Sequence, residues 1–148
     1  MDMEDNSIAF TLKTQTGAFD IEASVRRIGQ DFVICIWGGE TPHVGAVAVA
    51  QPRPSLKDSR NTSATASVFC VLGHKEDEMA KAVSEILSAV LNARVVVTAG
   101  IHWDNLSPEG ISRVIQNSEI LVEMILKRIA GMKSRNRQKQ LRQEEKKG

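Results

Sequence analysis

Residues 32–37, Phe-Val-Ile-Cys-Ile-Trp, form an unbroken apolar run rich in β-branched side chains. A run of this length and composition fits a strand buried on both faces, which places it at the centre of a sheet. Around it the pattern has period two. Ile8, Phe10 and Leu12 alternate with polar neighbours, as do Phe19, Ile21, Ala23 and Val25, with Thr14-Gln15-Thr16-Gly17 between them as a turn. The expected unit is an antiparallel hairpin. Residues 44–50 and 65–72 read as two more strands. Between them, Gln51 to Ser63 reads as a long polar loop in which Pro52 and Pro54 prevent regular structure.

Helical periodicity begins only after these five strands. Met79, Val83, Ile86, Leu87 and Val90 form one stripe, leaving Asp77, Lys81, Glu85 and Ser88 toward water. Residues 94–99 are a sixth strand. Ser107 followed by Pro108 starts a second helix, because serine caps the free N–H groups and proline lacks one. Its apolar face, from Ile111 to Ile129, predicts a helix to about Ala130. The expected fold is α+β: a mainly antiparallel six-stranded sheet, in the order five strands, helix, strand, helix, packed on two long helices.

The 148 residues suffice for one domain, expected over 1–131, with a tail at 132–148 that is a frayed helix or disordered. Charge divides the same way. Residues 127–148 carry nine Lys and Arg against two Glu, leaving ten basic and sixteen acidic groups for the rest. No stretch of roughly 18 apolar residues is present, so no membrane span or membrane partner is expected. The acidic start Met1-Asp2-Met3-Glu4-Asp5 is unlike a secretory signal, which makes the cytoplasm the expected location. With no Tyr, two Trp and four Phe, an aromatic nucleic-acid platform is not expected, and the basic tail alone needs no nucleic-acid partner. Cys35 and Cys70 lack metal or redox spacing and read as reduced core residues.

Polar and ionisable groups gather at strand ends, in 38–43, 51–57, 72–76 and 100–105. Arg53 offers a planar fork for phosphate, Ser55, Thr62 and Ser63 supply hydroxyls, and Lys57 and Lys75 supply point charges. The helix start near His74 presents free N–H groups to an anion. These features suggest a phosphate-bearing ligand. His43, His74 and His102 lie in these loops but lack the close pair of a usual zinc site, so no metal is expected. Ser55, His74 and Asp104 lack the GxSxG elbow of a hydrolase, so no catalytic residue is assigned. Trp37 and Trp103, at strand ends, either cover a flat ligand or plug the core. The wide apolar face of the second helix makes a homodimer reasonable.

The strings Pro42-His43-Val44-Gly45-Ala46-Val47-Ala48, Gln51-Pro52-Arg53-Pro54-Ser55-Leu56, Leu72-Gly73-His74-Lys75-Glu76-Asp77-Glu78 and Thr98-Ala99-Gly100-Ile101-His102-Trp103-Asp104-Asn105 resemble the prenylated-flavin chaperone (LpdD-like) family. Its members are small accessory D proteins encoded with gallate-type decarboxylases. The resemblance covers about residues 7–130. It implies a non-catalytic helper that binds prenylated flavin mononucleotide (FMN) and delivers it to a UbiD-type decarboxylase. It also implies a fold similar to that of proteasome assembly chaperones, which pair into dimers. On that basis Arg53, Ser55, Lys57 and the helix start near His74 are expected to take the phosphate. Trp103, Trp37 and Leu56 would cover the ring system, and His102, Asp104 and His43 would meet its polar edge. Gly45, Pro54, Ser63, Lys75 and Asn105 complete the expected cofactor-binding set. Two other readings stay open: an assembly chaperone for a decarboxylase subunit that binds no small molecule, and a small enzyme acting on a phosphorylated or aromatic acid through His74, His102 and Asp104.

Overall fold

The computed structural model describes residues 8–73 and 76–146. The elements follow as β1 (Ala9–Lys13), β2 (Ile21–Ile28), β3 (Asp31–Gly39), β4 (Ala46–Pro54), β5 (Thr62–Cys70), α1 (Asp77–Leu91), β6 (Val95–His102) and α2 (Pro108–Glu145). The strands make one sheet in the order β1-β2-β3-β6-β4-β5. The last strand in sequence is thus inserted between β3 and β4, parallel to β3 and antiparallel to β4. The architecture is α+β and the sheet is mainly antiparallel, as expected, but it is mixed rather than purely antiparallel, because β3 and β6 run parallel. Its other neighbouring pairs are antiparallel. The parallel pair follows from the crossover through α1, which carries the chain past β4 before it re-enters the sheet.

Helix α1 packs over β4, β5 and β6, and α2 over β1 and β2. Beneath them lie every second side chain of the central strands: Ile21, Ala23 and Val25; Phe32, Ile34 and Ile36; Ala46, Ala48 and Ala50; Val95, Val97 and Ala99. The alanines of β4 let the α1 backbone come close. The opposite face of the sheet has no covering layer among the described residues. Val33, Cys35, Trp37, Val96, Thr98 and Val47 are half-buried there, and Val49 is exposed. The run 32–37 is therefore central but not buried on both sides, because both helices lie on one face. Neither cysteine is in a disulfide, and both are half-buried.

Three further expectations are corrected. Strand β4 runs through Pro52 and Pro54, opposite Ala64 and Thr62 of β5. Ser55 N donates to Asn61 O at 2.8 Å, so alternation puts the imide nitrogens of Pro54 and Pro52 on the side away from β5. There β6 has already ended, its pairing with β4 stopping at Ala50–Val95, and no donor is needed. Ser88 is buried rather than exposed, its hydroxyl donating to Ala93 O at 2.6 Å in the turn after α1. Helix α2 continues past Ala130 to Glu145, since Lys, Arg, Gln and Glu are good helix formers even where nothing is left to bury.

A buried asparagine ties α2 to the β1–β2 loop. Asn117 Nδ2 donates to Ala18 O at 2.9 Å and Phe19 O at 2.6 Å, and its Oδ1 accepts from Thr16 Oγ1 at 3.0 Å. Asp20 closes the loop from within, accepting from Thr14 Oγ1, Thr16 N and Gly17 N. The Thr16 backbone and then the Thr14 hydroxyl hold its carboxyl below the ordinary value, against an opposing desolvation. Asn117→Ala leaves carbonyls without a partner and is expected to cost about 2 kcal/mol in urea unfolding. A depressed folded pKa gives stability that is present above the ordinary carboxylate value of 3.8 and is lost as pH falls through the folded value. Asp20→Asn should therefore be less stable than the native chain at pH 7, with the difference shrinking below about pH 4.

Candidate functional site

The insertion of β6 gathers three connections at one end of the sheet, where β3 and β6 finish and β4 and α1 begin. The β3–β4 connection must arch over the end of β6 to reach its place. It does so at Gly100: a Cβ there would strike the carbonyl of His43. The arch is pinned to β6 and its exit. Glu40 N and Thr41 N donate to His102 O at 2.7 and 3.4 Å, and Asp104 N donates to Glu40 Oε2 at 3.1 Å.

On the helix side, His43 Nδ1 lies 2.9 Å from Thr41 O, and Nε2 lies 2.9 Å from Glu76 Oε1 at the start of α1. The same carboxylate oxygen accepts from Ile101 N at 3.3 Å, filling the edge position that β4 vacates by arching away. A Cβ at Gly45 would meet both the Glu76 carboxylate and His43 Nε2, so a larger residue there would displace this pair. At the outer lip, His102 Nε2 and Asp104 Oδ1 are 2.9 Å apart, with both side chains mainly in solvent. The rim thus combines two histidine–carboxylate contacts with exposed hydrogen-bonding groups.

Trp103 does not face outward as a lid. Its ring meets Phe19 edge-on, with centroids 5.2 Å apart at 84°, and packs against the core. The β1–β2 loop that Asn117 anchors therefore supports the loop carrying His102 and Asp104. Asn105, at φ 52°, turns the chain into α2. Ser107 Oγ then accepts from Gly110 N at 3.0 Å, with Pro108 in the first turn, the helix start read from the sequence. Trp37 lies on the open face of the sheet, its Nε1 donating to Glu22 Oε2 at 3.0 Å.

The rim opens on a cleft of about 410 Å³ between α1 and α2, lined by Glu76, Met79, Ile101, His102, Leu106 and Ile111 among others. A second cleft of about 540 Å³ continues along the helices past Met79, Ile86 and Ile115. Both volumes lie within the usual range of ligand pockets. Helix residues that the sequence assigned to apolar faces, Ile86, Ile111 and Ile115, are exposed along this groove.

Of the residues expected to bind a cofactor, His43, Gly45, His102, Trp103, Asp104 and Asn105 are brought together at this rim. His74 and Lys75 lie outside the described residues. Arg53, Pro54, Ser55, Leu56, Lys57 and Ser63 are at the opposite end, on the β4–β5 hairpin. Eight residues of extended strand separate Arg53 from Gly45, about 26 Å. Arg53 lies beside Ser63 in the ladder, with Nε donating to Thr65 Oγ1 at 2.7 Å and Nη1 to Pro54 O at 3.0 Å. Ser55 Oγ accepts from Lys57 N at 3.2 Å, and Asp58, its carboxyl held low by Arg60, completes the hairpin turn.

Sequence reasoning placed Met79 and Ile111 on apolar helix faces and Glu40, Glu76 and Gly100 within polar segments, but gave none of the five a role at the site. An acidic residue just before α1 was the available signal for Glu76. Nothing in the sequence marked Gly100, whose role depends on which strand is its neighbour. Among the described residues, no group of His, Cys, Asp and Glu side chains could hold a metal ion, and no helix is long and apolar enough to cross a membrane.

Fold and site define a small α+β protein with a donor-rimmed cleft of ligand size. The chain belongs to the prenylated flavin chaperone LpdD-like family, whose sequence model matches residues 15–130. Among solved structures, a chain from the crystal structure of a novel chaperone complex for yeast 20S proteasome assembly is similar in fold. The TM-score is 0.50 at 15% identity, covering 85% of this chain and 95% of that one. No curated protein matches.

Gly100→Ala should cost about 1–3 kcal/mol in urea unfolding, because its clash is with backbone that cannot turn aside. Gly131→Ala, in the exposed run of α2 with open space around it, should instead gain up to about 1 kcal/mol.

Proposed function

We propose that this chain is a non-catalytic carrier of prenylated FMN that hands the cofactor to a UbiD-type, gallate-like decarboxylase, working in the cytoplasm as a homodimer. The observation that carries this reading is the family match across residues 15–130, which spans the arch, the hairpin and the rim. In this reading residues 1–131 act as one domain, and 132–148 form a basic appendage. The bound group would supply the electron-rich fused ring system used later in the recipient enzyme; this chain holds it and shields it from water and oxygen.

The cleft suits the apolar part of such a ligand. Met79, Ile101, Leu106, Ile111 and Ile115 would bury a ring system and its prenyl-derived carbons, while His102, Asp104 and His43 hydrogen-bond the polar edge. Among the described residues that line the cleft, none is a lysine or arginine that could take the phosphate. Glu76 and Glu78 stand at the cleft and repel a dianion, whereas Arg53 and Lys57 are a sheet's length away. Carriage rather than chemistry suits the exposed His102–Asp104 pair, since no nucleophile lies between it and the cleft among the described residues. Transfer runs downhill provided that binding here is weaker than in the decarboxylase.

Titration of the purified protein with reduced prenylated FMN under anaerobic conditions tests the reading. Saturable binding that lets the loaded protein activate apo-decarboxylase is expected, with affinity reduced about tenfold by His102→Ala, the loss of roughly one hydrogen bond to a polar ligand. Capture of apo-decarboxylase with no flavin bound would instead favour an assembly chaperone. Turnover of an aromatic acid that His102→Ala abolishes would favour an enzyme.

A further inference from the structure

We infer that a second copy of this chain lays the basic end of its α2 antiparallel in the groove between α1 and α2, each copy filling the groove of the other about a two-fold axis at Ala130. The contact goes beyond the carrier reading and does not rest on it.

The groove extends past the two clefts described above. One turn further along both helices lies a third, of about 450 Å³, lined by Val90, Leu91, Leu126, Ile129, Ala130 and Lys133. Apolar side chains stay uncovered along its length, with Val90 62% exposed and Ile115 52%. Glu78, Glu119 and Glu123 stand along the half nearer the rim. The same face of α2 then leaves the body of the protein: Lys133, Arg137 and Leu141 follow Ala130 at helical spacing and are exposed. The family match stops at residue 130, so this stretch lies outside the shared domain.

Charge selects the orientation. Glu119 and Glu123 stand four residues apart on this face, as do Lys133 and Arg137, and like charges at that spacing repel along a helix. Among the described residues none of the four has an ion-pair partner. Parallel stacking of two copies would set like on like. Antiparallel stacking about Ala130 sets base on acid, twice by symmetry.

Knobs-into-holes packing then fixes the register. The partner's Leu141 enters the hole between Ile115, Ser118, Glu119 and Val122, and the partner's Arg137 the hole one turn on, against both Glu119 and Glu123. At the axis the partner's Ala130 meets Leu126, Ile129, Ala130 and Lys133. These holes are the walls of the second and third clefts, apart from the α1 side. One register thus covers the exposed Ile115 and Leu141 and opposes every unpaired charge of the stripe. The overlap, from Ile115 to Glu145, is about 45 Å long and about 10 Å wide, a footprint of roughly 500 Å² from each copy. That area is at the low end for a specific interface, so the charge pairs decide whether it forms.

Sedimentation at low salt and without flavin should give the native chain twice the mass of Glu123→Arg or of Arg137→Glu, each with an unchanged circular dichroism spectrum. Each reversal sets like charges together when the variant pairs with itself. A mixture of the two variants restores both acid–base contacts and should return to the native mass. A native mass that neither reversal changes, or a mixture no heavier than its components, would overturn the pairing. In a Cys35→Ser, Cys70→Ser background, Ala130→Cys should be joined by a short bis-maleimide linker. Leu141→Cys should not, because two copies of that position stand about 33 Å apart along the pair. Linked Leu141→Cys, or unlinked Ala130→Cys, would overturn the antiparallel register.

Discussion

The placement of β6 between β3 and β4 is the constraint on which the rest of the structure depends. A strand inserted there forces the β3–β4 connection to arch over its end, and only a glycine at position 100 lets the His43 carbonyl pass. The arch leaves an edge donor, Ile101 N, which the Glu76 carboxylate satisfies. Glu76 thereby joins the start of α1 to the same end of the sheet that His102 and Asp104 leave. Fold and site are thus one arrangement: the hydrogen bonds that close the sheet's end also hold the rim in place.

A carrier faces a demand that an enzyme does not. It must enclose its cargo well enough to exclude water and oxygen, yet release it to a tighter binder. If this chain carries such a cargo, a cleft walled by Met79, Leu106, Ile111 and Ile115 between two helices would meet the first requirement through apolar burial, which has no directional specificity. Exposed contacts such as His102–Asp104 would meet the second, because solvent competes for them and limits what each adds to affinity.

Much of this was legible in the residues. Period-two alternation located β1 and β2, the unbroken apolar run located β3, the Ser107-Pro108 pair fixed the start of α2, and the polar strings at 42–48 and 98–105 led to the rim. Other features depend on long-range pairing, which local pattern does not encode. Nothing near Val95 states that it will sit between Phe32 and Ala50, so the parallel pair and the Gly100 crossing were invisible. Pro52 and Pro54 looked like strand breakers because the early end of β6 was unknown. Arg53 and His43 seemed part of one pocket because sequence gives no measure of the extended strand between them. Asn117 resembled an ordinary polar helix position, and its burial became clear only once Ala18 and Phe19 were seen opposite it. The run 32–37 promised burial on both sides, and the helices cover only one of them.

The most direct test is a native mass spectrum of the protein isolated without oxygen from cells that make prenylated FMN. Two chains carrying the intact, non-covalently held cofactor are predicted, with the cofactor leaving unchanged when apo-decarboxylase is added. A bare single chain, or a cofactor altered or covalently attached, would contradict the claim that this protein shelters and passes on a flavin.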